Sequence, residues 1–163
     1  MQMLLHSVIA ALVTLVLGFI WYNPKVFGND WMKSIGKTEA DLKGANMALT
    51  FTLTFIFSVM LASILHPITI HQFGIQSVLF GIDGAETGKI DVLLNGTLVD
   101  YEHRFRTFKH GALHGTIAGL FFALPIIGIS GLFDRRSAKY IMISAGYWIV
   151  SLAIMGGIVC GWE

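Results

Sequence analysis

Four uncharged apolar stretches, Met3–Tyr22, Met47–Phe73, His110–Phe133 and Tyr140–Trp162, fill most of the chain, and no Asp, Glu, Lys or Arg falls inside any of them. Each can cross a hydrocarbon layer of roughly 30 Å, which takes about 20 helical residues at 1.5 Å rise per residue. The runs are continuous and lack the two-residue alternation of barrel strands. The pattern therefore predicts an all-α fold, an integral membrane four-helix bundle with short interfacial helices, forming a single four-span domain over residues 1–163. The one sizeable extramembrane piece is the loop Gly74–Lys109. The first stretch stays in the mature chain on this reading, because no basic residue precedes it and it ends in Trp21-Tyr22-Asn23-Pro24 rather than at small residues suited to cleavage.

The segments between the stretches carry their own signals. Asn23-Pro24 stops the first span, and Phe27, Trp31 and Ile35 then recur every four residues, the spacing of a helix lying along the membrane surface on one apolar face. Trp21, Tyr22 and Trp31 serve as interfacial anchors there. Thr38-Glu39-Ala40-Asp41 fits a variant capping box that opens a helix running into span two. In the middle loop, Gly81, Asp83-Gly84 and Gly88 mark turns. Ile90, Leu94, Tyr101, Phe105 and Phe108 follow at near-helical spacing, which predicts an amphipathic helix leading into span three, weakened at Asn95-Gly96.

In lipid no water is squeezed out when helices meet, so association relies on close backbone approach and shared polar contacts. Span three carries Gly111, Gly115 and Gly119 at four-residue spacing, a doubled GxxxG. Span four offers Ala153, Gly157 and Gly161, span two Thr50, Thr54, Ser58 and Ala62, and span one Ser7, Ala11, Thr14 and Gly18. Four such faces can satisfy one another within one chain, and a homo-oligomer or a larger membrane complex is the competing use. Pro67 and Pro125 each remove a backbone donor and free the carbonyl four residues earlier.

Composition agrees with lipid as the solvent: 55% of the 163 residues are hydrophobic and 13% charged, about half the charge of an ordinary soluble domain. The net charge of +1 leaves no basic stripe for nucleic acid. Lys25, Lys33, Lys37, Lys43, Arg135, Arg136 and Lys139 lie in the first and third loops, against Lys89, Arg104, Arg106 and Lys109 in the middle one. The positive-inside rule then places both termini and the middle loop outside. A single cysteine, Cys160, excludes an intrachain disulfide and reads as a buried apolar thiol.

Histidine supplies the remaining chemistry. In the four-span topology His6, His66, His71, His103, His110 and His114 all fall toward one membrane face, where Cys160 and Glu163 join them. On a continuous helix His103, His110 and His114 lie within about 40° of one another. His110 and His114, one turn apart, can share a transition-metal ion, with His66 or His6 completing the set. An HxxxH pair is a weak signal, and solvated or hydrogen-bonded structural histidines are the plainer reading. No carboxylate sits inside a span to act beside a metal-bound water. No GxSxG, phosphate-binding loop or CxxC is present, and no Asp, Glu, Lys or Arg lies within a span.

Trp21-Tyr22-Asn23-Pro24-Lys25-Val26-Phe27-Gly28, followed by Trp31-Met32 and Gly36, resembles the signature at the end of the first span in the bacterial membrane proteins grouped as domain of unknown function 1761. Gly146-Tyr147-Trp148-Ile149-Val150 with Met155-Gly156-Gly157 is similar to that family's last helix. The resemblance covers all four spans; the middle loop is longer here than in typical members. It implies a multi-pass protein of the bacterial cytoplasmic membrane and transfers no activity. From the sequence the first expectation is a non-catalytic accessory or structural membrane subunit whose partners are the lipid bilayer and other membrane chains. The second is a metal- or proton-handling carrier built on the histidines of one face.

Overall fold

The computed structural model describes residues 2–42, 46–79 and 103–162. Every regular element among them is helical. Span one is α1 (Gln2–Trp21), followed by the surface helix α2 (Gly28–Ile35) and the single turn α3 (Glu39–Leu42). Span two is α4 (Met47–Thr69), with α5 (Gln72–Leu79) after it. Span three is built from α6 (Phe108–Ala118), a π-helical turn over Gly119–Ala123 and α7 (Leu124–Phe133). Span four is α8 (Ala138–Gly161). All four spans are long and apolar enough to cross a membrane.

Their outward faces are what water would reject. Phe19, Phe121, Phe122, Leu132 and Phe133 are each more than 60% exposed, whereas Ser7, Thr14, Ser58, His66, Thr69 and Ser151 are buried. Apolar outside and polar inside is the distribution that hydrocarbon favours, because hydroxyls there find partners only within the bundle. The Thr14 and Ser58 hydroxyls meet at 2.7 Å, Ser63 donates to Ser7 at 3.1 Å, and the Tyr147 hydroxyl donates to the Thr14 carbonyl at 2.7 Å. These contacts tie α1 to α4 and α8.

The centre is α8, which packs along α6 and also against α1 and α4, whereas α4 and α6 meet only sparsely. Glycine explains the α6–α8 contact. A side chain at Gly111 would strike the Gly156 carbonyl, one at Gly115 the Leu152 carbonyl, and one at Gly119 would lie 2.6 Å from the Ile149 Cα. In return, a Cβ on Gly157 would come 2.5 Å from the Phe108 ring and one on Gly161 2.6 Å from the Phe108 nitrogen. The small-residue stripes are thus occupied within the chain.

Several boundaries differ from the sequence expectation. Span two ends at Thr69 instead of Phe73: Ile70 is extended at φ −109°, ψ 102°, and its N–H makes the last bond of the helix, to the His66 carbonyl. The capping box forms, with Thr38 donating from its nitrogen (2.8 Å) and its hydroxyl (2.6 Å) to Asp41. The turn it opens does not run into span two, which starts afresh at the Asn46 cap that accepts from the Leu49 nitrogen at 3.1 Å. The helix expected to lead into span three fails over its last part: 103–107 is a turn, and Phe105 sits at φ 65°. The Gly81–Gly88 turns and the Ile90, Leu94 and Tyr101 portion lie outside the described residues.

Two predictions follow from the packing. Gly115→Leu forces the α6 and α8 backbones apart and lowers stability in detergent by about 1–3 kcal/mol, whereas Gly128→Ala, whose new methyl meets nothing nearer than 4.0 Å, leaves the thermal midpoint unchanged. At the opposite end, Lys139 donates to the exposed Asp30 carboxylate at 2.8 Å; this hydrogen bond, with the lysine charge, holds the Asp30 carboxyl below its ordinary range. The pair therefore contributes above the ordinary carboxyl pKa and is lost as acid titrates Asp30, so Lys139→Ala moves the Asp30 carboxyl titration, read by carbon NMR, upward.

Candidate metal centre

The glycine contact fixes α6 against α8 and so sets which way the first turns of α6 face. Thr107 caps α6, accepting from the His110 nitrogen at 3.2 Å. His110 and His114 lie one turn apart on the same side, toward the end of α4. Because α4 stops at Thr69, the residue that meets them is His71, in the turn before α5.

The three imidazoles form a nearly equilateral group, with ring centroids 4.6 Å apart for His110–His114, 4.9 Å for His71–His110 and 5.0 Å for His71–His114. One nitrogen from each ring falls within 4.8 Å of the others. The His71 and His110 Nε2 atoms face each other at 2.9 Å. As neutral rings without metal, one must donate to the other; with both lone pairs turned inward, the same placement chelates an ion. Tetrahedral zinc with Zn–N of about 2.0–2.1 Å holds its nitrogens about 3.3–3.4 Å apart, a few tenths of an ångström wider than this pair. His71 is exposed and the other two are half-buried. An all-nitrogen donor set suits zinc, copper, nickel or cobalt better than magnesium or calcium, which take oxygen ligands.

The wall behind the group comes from the turn at 103–107, where the last part of the expected helix does not form. Phe105 stacks on His110 at 5.1 Å with planes 22° apart and meets His71 edge-on at 6.0 Å. A positive φ on an aromatic residue is strained, and several contacts hold it in place. Arg106 donates from Nε to the Cys160 carbonyl at 2.9 Å and from Nη2 to the Trp162 carbonyl at 2.8 Å. The Cys160 thiol donates to the Phe105 carbonyl at 3.4 Å, and Gln72 Nε2 to the Arg104 carbonyl at 3.2 Å. Arg106 thereby covers the last carbonyls of α8 and anchors the turn that supports the imidazoles.

His66 and His103, grouped with His110 and His114 in the sequence analysis, are placed elsewhere. His103 lies in the turn at 103–105, off any helical face, because Phe105 breaks the continuity that its angular match assumed. His66 packs with His6, at 6.5 Å between ring centroids, and Trp162 covers His6 at 5.3 Å. Sequence reasoning kept His66 as third partner and missed His71. The extended backbone at Ile70 lets the chain turn His71 across to α6.

A family profile described as a protein of unknown function, DUF1761, matches residues 5–160, nearly the whole chain. The chain belongs to the DUF1761 family. Comparison with curated proteins and with solved structures finds no match.

In this DUF1761 protein the Trp21–Gly28 signature lies at the other end of the bundle and folds a tight return. The Asn23 side chain accepts from the Lys25 nitrogen at 2.9 Å, its carbonyl accepts from Val26 and Gly28 at 2.9 Å each, and a side chain at Gly28 would strike the Tyr22 carbonyl. Trp21 donates from Nε1 to the Ile143 carbonyl on α8 at 3.1 Å. Tyr22 meets Trp31 of α2 edge-on at 5.3 Å, and Gly36 ends α2 in the left-handed region at φ 68°. The signature thus locks α1 and α2 to α8. Trp21→Phe removes the indole donor while keeping most of the ring, and should cost about 0.5–1.5 kcal/mol in unfolding from mixed micelles, with span content by circular dichroism unchanged.

Proposed function

We propose that this DUF1761 protein is a non-catalytic, metal-handling protein of the bacterial cytoplasmic membrane that takes a divalent transition-metal ion at its outer face through His71, His110 and His114. The observation that carries the reading is the convergence of three imidazole nitrogens within 4.8 Å, supplied by two different helical hairpins. An accessory subunit that self-associates through its glycine stripes has less support, since Gly111, Gly115, Gly157 and Gly161 are occupied by contacts inside the chain.

The outward placement rests on charge. Lys25, Lys33, Lys37, Arg135, Arg136 and Lys139 belong to the loops and helix ends opposite the imidazoles, which under the positive-inside rule is the cytoplasmic side. Both termini then lie outside with the metal site. The three ligands offer no carboxylate base, and an exposed His71 suits an ion that arrives and leaves.

The test is zinc binding to the full chain in detergent by calorimetry. His71→Ala and the double variant His110→Ala/His114→Ala should each weaken the outer-site affinity at least tenfold, and His103→Ala should leave it unchanged. Binding should weaken on acidification, because a protonated imidazole loses the lone pair that holds the ion. Equal affinity in all four proteins refutes the proposal.

A further inference from the structure

Cys160, fully buried in the last turn of α8, touches each backbone segment that leads to the three imidazoles. Its sulfur lies 3.4 Å from the Thr69 carbonyl and 3.4 Å from the Phe105 carbonyl. A carbonyl only accepts, so the thiol is the donor to both, one S–H shared between two oxygens. Thr69 ends α4 two residues before His71, and Phe105 stacks on His110. On the α6 side, a side chain at Gly111 would strike the Cys160 Cβ, so Cys160 packs on the backbone between His110 and His114. The Cys160 carbonyl in turn accepts from Arg106 Nε at 2.9 Å.

We infer that Cys160 is a positioning residue for His71, His110 and His114: its thiol ties the chain entering the His71 turn to the Phe105 wall and to α6, so that the three rings converge. The inference deepens the function proposed above and rests on it for metal affinity, whereas the arrangement of the metal-free rings is a separate consequence. A thiol is a weak donor. The Thr69 contact is buried, however, where no water replaces a lost donor and an orphaned carbonyl costs more than the bond it made. Bulk and donor are separable, because Cys160→Ser and Cys160→Ala both remove volume and only serine keeps a donor.

The experiment compares the full chain with both variants. Zinc affinity in detergent, read by calorimetry, should fall about fivefold or more in Cys160→Ala and recover in large part in Cys160→Ser. In lipid without metal, nitrogen-15 recoupling NMR should place the His71 and His110 Nε2 atoms 2.9 Å apart in wild type, close together in Cys160→Ser and well separated in Cys160→Ala. A residue that only stabilised the fold would lower the thermal midpoint of the alanine variant and leave that separation unchanged. An unchanged separation in Cys160→Ala overturns the proposal, as does a serine variant no better than alanine or a wild type whose two rings lie apart. Cys160 is the sole cysteine, so wild type gives one S–H infrared band, which decides the matter should the alanine protein fail to fold. A band lowered in frequency by hydrogen bonding supports the proposal, and one at the frequency of an unbonded thiol overturns it. Wild type that binds no zinc, with a ring separation that still responds to Cys160, refutes the metal reading and keeps the positioning role.

Discussion

The backbones of α6 and α8 touch where Gly111 faces Gly156 and Gly115 faces Leu152, and the rest of the histidine-bearing end follows from that contact. Hydrocarbon supplies no force to expel water from between helices, so their separation is set by how closely main chains approach. With no side chain in the way, α6 sits deep against α8. This depth brings Phe108 over Gly157 and Gly161, fixes the start of α6, and aims His110 and His114 toward the end of α4. A bulkier residue in the stripe would move the two imidazoles along with the helix that carries them.

Proline and a strained turn complete the placement. The extended backbone at Ile70 ends α4, so that His71 leaves the helix axis and crosses to α6, and Pro67 frees the Ser63 carbonyl that faces His66. Phe105, held at positive φ by contacts from Arg106 and Cys160, interrupts the last part of the helix that periodicity predicts and forms a wall against His110. The histidine end is therefore shaped by three departures from regular helix: the break at Ile70, the turn at 103–107 and the missing donor of Pro67. The regular portions do little more than present them at one membrane face. The hairpins α1–α4 and α6–α8 contribute one and two of the outer imidazoles respectively, and α4 and α6 themselves meet only sparsely.

Much of this was legible in the sequence where a single physical rule dominated. Uncharged runs of twenty or more residues fix spans because a charged group in hydrocarbon is so costly, and the observed helices match those runs within a few residues at most ends. The glycine spacing of span three pointed to a close helix contact, and the i, i+4 relation of His110 and His114 put them on one side of α6. What failed depended on where helices stop. Reading span two through to Phe73 kept His71 on the helix and made His66 the nearer partner. Reading a helix across Phe105 aligned His103 with His110. Neither the extended backbone at Ile70 nor a positive φ on phenylalanine is marked by residue type alone; the Thr69 and Phe105 carbonyls both face the Cys160 thiol of α8, more than fifty residues away in the chain.

The central claim is that one ion meets three rings brought together from two hairpins. Its most direct test is nitrogen-15 NMR of the histidine rings in lipid with cadmium-113 bound. The account predicts one-bond couplings from a single cadmium to ring nitrogens of His71, His110 and His114. Resonances of those three rings that show no coupling and do not shift on cadmium addition would contradict it.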